Sequence, residues 1–140
     1  MRAHRLTLNV LSSSAQCAVI RVGGELDHGG ERLFLDTVGS CVDSGHRYVV
    51  LDLTTLTFCD SRGLNCLFAV RWLLRRQGGE LLLAAVGRRV TYLLEQTGST
   101  DVIAMYRSVR EALEHVPEPL RARWPPGAVP DAARPSRPDR

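Results

Sequence analysis

The sequence predicts a single α/β domain with a mixed, mostly parallel sheet of about five strands and four helices, in the order β-β-α-β-α-β-α-β-α. The apolar run at residues 48–53 is typical of a strand that is covered on both faces. Apolar stripes at helical spacing alternate with the strands, which is the pattern of parallel sheets. A length of 140 residues with 44% hydrophobic content fits one compact domain.

The first half of the chain predicts two strands and one helix before that central strand. Residues 5–11 alternate between apolar and polar, and residues 17–22 form a second apolar strand that Gly23 and Gly24 interrupt. A helix with one apolar stripe follows, carried by Phe34, Val38 and Cys41.

The second half alternates helices and strands. The helix predicted at residues 64–77 is apolar over most of its circumference, so we expect it to be the most buried. Ser108 and Glu111 form an S-x-x-E capping box that begins the last helix. The other predicted elements are a strand at 80–86, a helix at 90–97, a strand at 102–106 and the last helix at 109–116.

A change of composition divides the chain. All seven prolines lie between Pro117 and Pro138, among alanine and arginine residues. Such a segment is too poor in apolar residues to pack, so we predict a domain at residues 1–116 and a disordered tail at 117–140.

Charge and composition disfavour several functions. Of the formal net charge of +3, the tail carries +2, which leaves a nearly neutral body without a basic stripe and disfavours direct nucleic-acid binding. No lysine is present, which excludes Schiff-base and P-loop lysine chemistry. No apolar run approaches the roughly 18 residues of a membrane span, and we expect a cytoplasmic protein without membrane contact.

The four cysteines form no C-x-x-C pair, and the four histidines are scattered. This spacing disfavours a metal site, and we expect no cofactor. The cysteines are interpreted as small buried hydrophobic residues in a reducing compartment.

The stretch Asp60-Ser61-Arg62-Gly63-Leu64 places a serine at the start of the most apolar helix. Ser61 is interpreted as a helix cap, as an acceptor of phosphate, or as both, because a helix N-terminus favours an oxygen or a negative charge. A nucleophile elbow would need glycine at position 59, where this chain has cysteine, and no histidine follows before His115. A serine hydrolase is therefore disfavoured.

A second interpretation of the function concerns Asp52, at the end of the central strand, which would be the phosphoacceptor of a response-regulator receiver. Receivers also need a lysine near the phosphate and an acidic pair after the first strand, and both are missing. The favoured interpretation is a strand-end carboxylate that accepts backbone N–H groups.

Three motifs taken together are more specific. Residues 24–28 (G-E-L-D-H), 50–53 (V-L-D-L) and 58–64 (F-C-D-S-R-G-L), in this order, closely resemble the anti-sigma factor antagonist family, which has the STAS fold. The resemblance covers residues 6–116. It implies a protein that is not an enzyme and regulates transcription by partner switching. Its serine, here Ser61, would be phosphorylated by a partner that is both anti-sigma factor and serine kinase.

In this family the unmodified antagonist binds the anti-sigma factor and so frees the sigma factor. A phosphatase acting on phosphorylated Ser61 would reverse the switch. The predicted partner-binding residues surround Ser61. The resemblance assigns Asp27, Asp60, Gly63 and Leu64, which match the family, and we place Arg62 and Asn65 on the same face.

Two of these positions depart from the family pattern. Many relatives have a second serine where this chain has Arg62, and many have glycine where it has Asn65. Arg62 offers a cation to the phosphate or to an acidic partner, which would reduce the effect of phosphorylation. The alternative function is a STAS module that binds a small ligand or nucleotide at the helix start without phosphorylation, although no Gly-rich phosphate loop is present.

Overall fold

The computed structural model describes residues 5–126 and confirms the α/β fold, with a six-stranded sheet and four α-helices. The strands are β1 (Thr7–Ser13), β2 (Cys17–Leu26), β3 (Tyr48–Asp52), β4 (Leu56–Cys59), β5 (Glu80–Ala84) and β6 (Ala104–Tyr106). The helices are α1 (Glu31–Asp43), α2 (Ser61–Arg76), α3 (Arg88–Gln96) and α4 (Val109–Leu113). One-turn 3-10 helices occur at His28–Gly30, Ser99–Asp101 and Glu118–Leu120.

The sheet is parallel except for β1, which pairs antiparallel with β2. The strand order is β1-β2-β3-β5-β6. The first half of β2 pairs with β3, and its last residues, Gly24 to Leu26, pair with β4. All four parallel pairs direct their carboxyl ends to one edge of the sheet, where the connecting loops gather.

The sequence prediction is wrong about the strands β2 and β4. β2 does not end at Gly23 and Gly24 but continues to Leu26, because the positive φ of 85° at Gly24 makes a local irregularity that the pairing absorbs. The sixth strand, β4, was missed because its four residues do not alternate. Only Leu56 and Cys59, at its two ends, are buried.

Both faces of the sheet are covered. Val49 and Leu51 of β3 belong to a core cluster with α1, α2 and α3, whereas Val50 belongs to a second cluster with α4. The prediction that this strand is covered on both faces is therefore confirmed. Ser108 accepts a hydrogen bond from the Glu111 N–H, as predicted, but the Glu111 carboxylate accepts from the Arg107 N–H instead of completing the capping box.

The predicted disordered tail is wrong for residues 117–126, which pack on the α4 face of the sheet. Ala122 is only 4% exposed, and Trp124 and Leu120 pack against the same cluster. The Ser12 and Ser14 hydroxyls donate to the carbonyls of Arg123 and Leu120, each at 2.6 Å. The Pro- and Arg-rich composition concealed a short segment with apolar residues at 120, 122 and 124. Residues 127–140 lie outside the described part of the chain.

This packing predicts a difference between two truncations. Ending the chain after Val116 should lower the free energy of unfolding by about 2–3 kcal/mol, because three apolar side chains leave the cluster and part of the sheet face becomes exposed. Ending it after Pro126 should leave the stability within about 0.5 kcal/mol. Urea unfolding of both variants measures the difference, and equal stability would show that residues 117–126 contribute nothing.

Asp52 has a structural role. Its strand-end carboxylate accepts a backbone N–H group, as predicted. Asp52 is 3% exposed, and its carboxylate accepts hydrogen bonds from the Thr54 N–H at 3.0 Å, the Thr54 hydroxyl and the Arg21 guanidinium at 3.0 Å. Burial opposes ionisation, but the Thr54 hydrogen bonds and the nearby Arg21 outweigh it and hold the pKa of Asp52 below its usual value.

We expect Asp52→Asn to lower the free energy of unfolding by about 1–2 kcal/mol at pH 7, since Arg21 loses its partner but remains partly exposed to water. Because the pKa of Asp52 is lower in the folded state, the ionised carboxylate stabilises the folded protein at pH values above the ordinary carboxyl pKa of about 3.9. This stabilisation is lost as the pH falls through the pKa of the folded state. The difference in the free energy of unfolding between wild type and Asp52→Asn should therefore become smaller below about pH 4. Urea unfolding between pH 3 and pH 7 measures it, and a constant difference would contradict the assignment.

Candidate functional site around Ser61

Two parallel strands bring the predicted site residues together. Leu26 at the end of β2 is paired with Cys59 at the end of β4, so the next residues, Asp27 and Asp60, leave the sheet side by side. The Asp60 N–H donates to the Leu26 carbonyl at 3.4 Å. The two acidic positions that are 33 residues apart in sequence thus start neighbouring helical segments at the same edge.

Both aspartates act as helix caps. The Asp60 carboxylate accepts from the Gly63 N–H at 2.9 Å and caps α2, and the Asp27 carboxylate accepts from the Gly29 N–H at 2.9 Å and caps the 3-10 turn. The alternative that Ser61 caps α2 is therefore wrong, because the carboxylate of the preceding residue has that role. Ser61 is the first residue of the helix.

The Ser61 side chain is exposed. Within residues 5–126 its hydroxyl has no hydrogen-bond partner. Arg62 and Asn65 are also exposed. The hydroxyl at the start of α2 is therefore free to react with or contact another molecule.

Gly63 and Leu64 of the predicted partner-binding set are buried instead. A Cβ at position 63 would lie 2.1 Å from the Leu26 carbonyl oxygen and 2.9 Å from the Cys59 sulfur. Only glycine lets the first turn of α2 approach the end of β2 this closely. Leu64, 6% exposed, anchors the same turn in the core. These two residues position Ser61 and leave little side-chain surface for a partner.

Arg62 links the start of α2 to the segment after β2. Its Nη2 lies 3.3 Å from His28 Nδ1, and its Nε lies 3.9 Å from Glu31 Oε1. The sequence prediction named neither contact as part of the site. The sequence contained part of the signal for the contact with Glu31, because this residue follows Asp27 by about one helical turn and lies in the first turn of α1.

The electrostatic surroundings of Ser61 are negative. This group of side chains contains three carboxylates and one cation. The carboxylates belong to Asp27, Asp60 and Glu31, and the cation is the Arg62 guanidinium. Two of these carboxylates also affect two buried cysteines close to the site, Cys59 and Cys66. Burial and then the carboxylates of Glu31 and Asp60 raise the pKa of Cys66 to about 11, and burial followed by Asp60 raises the pKa of Cys59 to about 12.

These pKa values predict slow alkylation. At pH 8 we expect iodoacetamide to modify Cys59 and Cys66 more slowly than Cys41. Burial raises the pKa of all three thiols, but Cys41 is only half-buried, whereas nearby carboxylates add to the effect of burial at Cys59 and Cys66 and leave less of the reactive thiolate. In urea all four cysteines should react alike. Mass spectrometry of the labelled peptides measures the order, and rapid labelling of Cys59 in the folded protein would contradict the described packing.

Within residues 5–126, no group of three or more histidine, cysteine or acidic side chains is arranged to hold a metal ion. None of the helices there has the length and apolar character needed to cross a bilayer.

Comparisons with known proteins agree with this fold. The family model described as STAS domain matches residues 10–112. An anti-sigma F factor antagonist from Paenibacillus polymyxa is 28% identical over 96 residues, which cover 68% of this chain and 82% of that protein. The structure of the anti-sigma factor antagonist SpoIIAA in its unphosphorylated form matches with a TM-score of 0.68 and 21% identity, over 80% of this chain and 96% of that one.

The fold also occurs in a different setting. A sulfate transporter family protein from Wolinella succinogenes matches with a TM-score of 0.61 and 16% identity, over 70% of this chain and 82% of that one. Because the family model spans most of the described domain, the chain belongs to the STAS domain family, in which the anti-sigma factor antagonists resemble it in both sequence and fold.

Proposed function

We propose that this protein is an anti-sigma factor antagonist that binds an anti-sigma factor while Ser61 is unmodified and loses that partner when Ser61 is phosphorylated. One observation carries the proposal: the Ser61 hydroxyl is exposed and unbonded within residues 5–126, because Asp60 caps the helix in its place. The antagonist acts by binding in the cytoplasm, without catalysis of its own, and its binding releases the sigma factor for transcription.

The kinase is the anti-sigma factor itself, and a phosphatase acting on phosphorylated Ser61 restores binding. The surface offered to the partner consists of Ser61, Arg62 and Asn65. Phe58 of β4, 38% exposed, adds apolar area three residues before Ser61. A polar rim beside an exposed aromatic side chain is the usual composition of a protein interface.

Phosphate transfer tests the proposal directly. Protein incubated with the cognate kinase and ATP should carry a single phosphate, which peptide mass spectrometry assigns to Ser61. Ser61→Ala should remain unmodified, whereas Ser40→Ala, which removes an exposed serine from α1, should be phosphorylated like wild type. Phosphate on another residue, or equal labelling of Ser61→Ala, would overturn the proposal.

The alternative function, a module that binds a small ligand or nucleotide at the start of α2, is disfavoured by the capping geometry. The Asp60 carboxylate already accepts the Gly63 N–H, so a free anion at this helix end would meet a negative charge. A phosphate that is covalently attached to Ser61 does not depend on a favourable binding energy there. Calorimetry with nucleoside phosphates should therefore show no heat that depends on Ser61.

A further inference from the structure

A cleft of 570 Å³ lies at the carboxyl ends of β5 and β6. Its walls include Ala85 and Val86 after β5, Tyr106 and Arg107 at the end of β6, and Glu111 and His115. None of these residues belongs to the Ser61 surface. The volume lies within the roughly 300–1,000 Å³ that small-molecule sites occupy.

The topology places this cleft where open α/β sheets bind ligands. β5 leads into α3, which packs with the first core cluster, whereas β6 leads into α4, which packs on the opposite face. The chain therefore leaves two neighbouring parallel strands in opposite directions. A crevice between the diverging loops at such a point is the usual ligand position in sheets of this kind.

The backbone at the floor of the cleft is unusual. Ala85 has a φ of 56°, and it is the one non-glycine residue with positive φ within residues 5–126. Its N–H donates to the Tyr106 carbonyl at 3.0 Å, which ties the two strand ends together. Unfavourable backbone conformations of this kind concentrate at binding sites, where the surrounding structure maintains them.

The side chains combine aromatic surface with positive charge. The rings of Tyr106 and His115 lie 4.5 Å apart at an interplanar angle of 31°. The Arg107 side chain is 93% exposed and has a long ion pair with Glu111 at 3.8 Å. The Glu111 carboxylate also accepts the Arg107 N–H, which offsets part of its charge.

The segments that flank the cleft, which include the first residues of α3 and α4, add positive charge nearby, although Arg107 is the one of their arginines that lines the cleft. Residues 85–91 and 106–111 together contain four arginines against one glutamate, although the body of the protein is nearly neutral. The arginines are Arg88, Arg89, Arg107 and Arg110. Such a local excess favours an anionic ligand.

We propose that this cleft binds a small aromatic anion, with its flat ring against Tyr106 and His115 and its anionic group on the Arg107 guanidinium. Guanidinium groups form paired hydrogen bonds with both carboxylates and phosphates, so the anionic group is of either kind. The site uses no residue of the proposed phosphoserine switch, and the two proposals stand or fall separately.

Nuclear magnetic resonance of the full-length protein tests the ligand class. Benzoate represents aryl carboxylates and adenosine monophosphate represents aromatic phosphates. At least one of them should cause saturable shifts of the Tyr106 and His115 ring signals, and the one that binds identifies the anionic group. Benzamide, which lacks the charge, and cyclohexanecarboxylate, which lacks the aromatic ring, should bind about tenfold more weakly or worse.

Matched arginine variants test the position. Arg107→Gln should weaken binding about tenfold. Arg110→Gln, which lies outside this cleft, should change it less than about twofold, and Ser61→Ala should not change it. The absence of saturable shifts with both probes would overturn the inference. An equal loss of affinity in Arg107→Gln and Arg110→Gln would also overturn the inference, because it would show that the probe is attracted by the general positive charge and not by Arg107 in the cleft.

Discussion

Phosphorylation of Ser61 is expected to weaken binding to the anti-sigma factor by about thirtyfold. A phosphate adds about −1.5 to −2 charges next to Asp60 and near Asp27 and Glu31, so the start of α2 becomes strongly negative. The loss of affinity arises where this negative surface meets an acidic group of the partner: one pair of like unit charges about 4 Å apart across the interface costs about 4 kcal/mol at an effective dielectric constant near 20. Half of that cost corresponds to the expected thirtyfold change.

Calorimetric titration of the partner with unmodified and phosphorylated protein measures this ratio. Ser61→Ala should bind like unmodified wild type, and Ser61→Asp should fall between the two states because it carries one negative charge only. Ser40→Asp adds the same charge on α1 and should leave the affinity within about twofold. Equal affinities of wild type, Ser61→Ala and Ser61→Asp would exclude partner switching at this residue.

Arg62 determines how much of that change is observed. Its guanidinium faces Glu31 and His28, and a phosphate on Ser61 would compete with Glu31 for it. A new contact of this kind would neutralise part of the added charge. We therefore expect Arg62→Gln to increase the ratio between the unmodified and phosphorylated affinities. An unchanged ratio would show that Arg62 stays with Glu31 in both states.

Gly63→Ala is expected to lower the free energy of unfolding by about 3 kcal/mol. The new methyl group would lie 2.1 Å from the Leu26 carbonyl oxygen, a backbone atom at the end of β2 that is held by the pairing of β2 with β4. The first turn of α2 would have to shift and would displace Ser61. Urea unfolding measures the loss of stability, and the rate of Ser61 phosphorylation reports the displacement.

Gly39→Ala provides the matched control. Gly39 also lies inside a helix, α1, but nothing approaches its added Cβ within 4 Å. Alanine there should stabilise the protein by about 0.5–1 kcal/mol, because it reduces the freedom of the unfolded chain. Similar changes in stability for Gly39→Ala and Gly63→Ala would contradict the close approach of α2 to β2.

Local patterns in the sequence were sufficient for most elements. The apolar run of β3 predicted a strand covered on both faces, and helical stripes predicted four helices, because both signals depend on periodicity within one element. The three motifs identified the family, which the domain match confirms. β4 was missed because four residues without alternation carry no periodic signal.

Long-range contacts account for the other differences. The segment at residues 117–126 was predicted to be disordered from its average composition, yet Ser12 and Ser14, more than a hundred residues away in sequence, fix its carbonyls. The sequence likewise contained only a partial signal for the partners of Arg62, since Glu31 and His28 approach it only through the pairing of β2 with β4.

The sequence by itself determined that a serine begins α2 and that acidic residues stand at positions 27 and 60. It did not decide which group caps the helix, because serine and aspartate are both good caps. The tertiary structure decided this: Asp60 takes the Gly63 N–H, and Gly63 lets α2 approach β2 within contact distance. The Ser61 hydroxyl remains exposed for that physical reason, since its neighbour has already satisfied the backbone N–H group that it would otherwise bind.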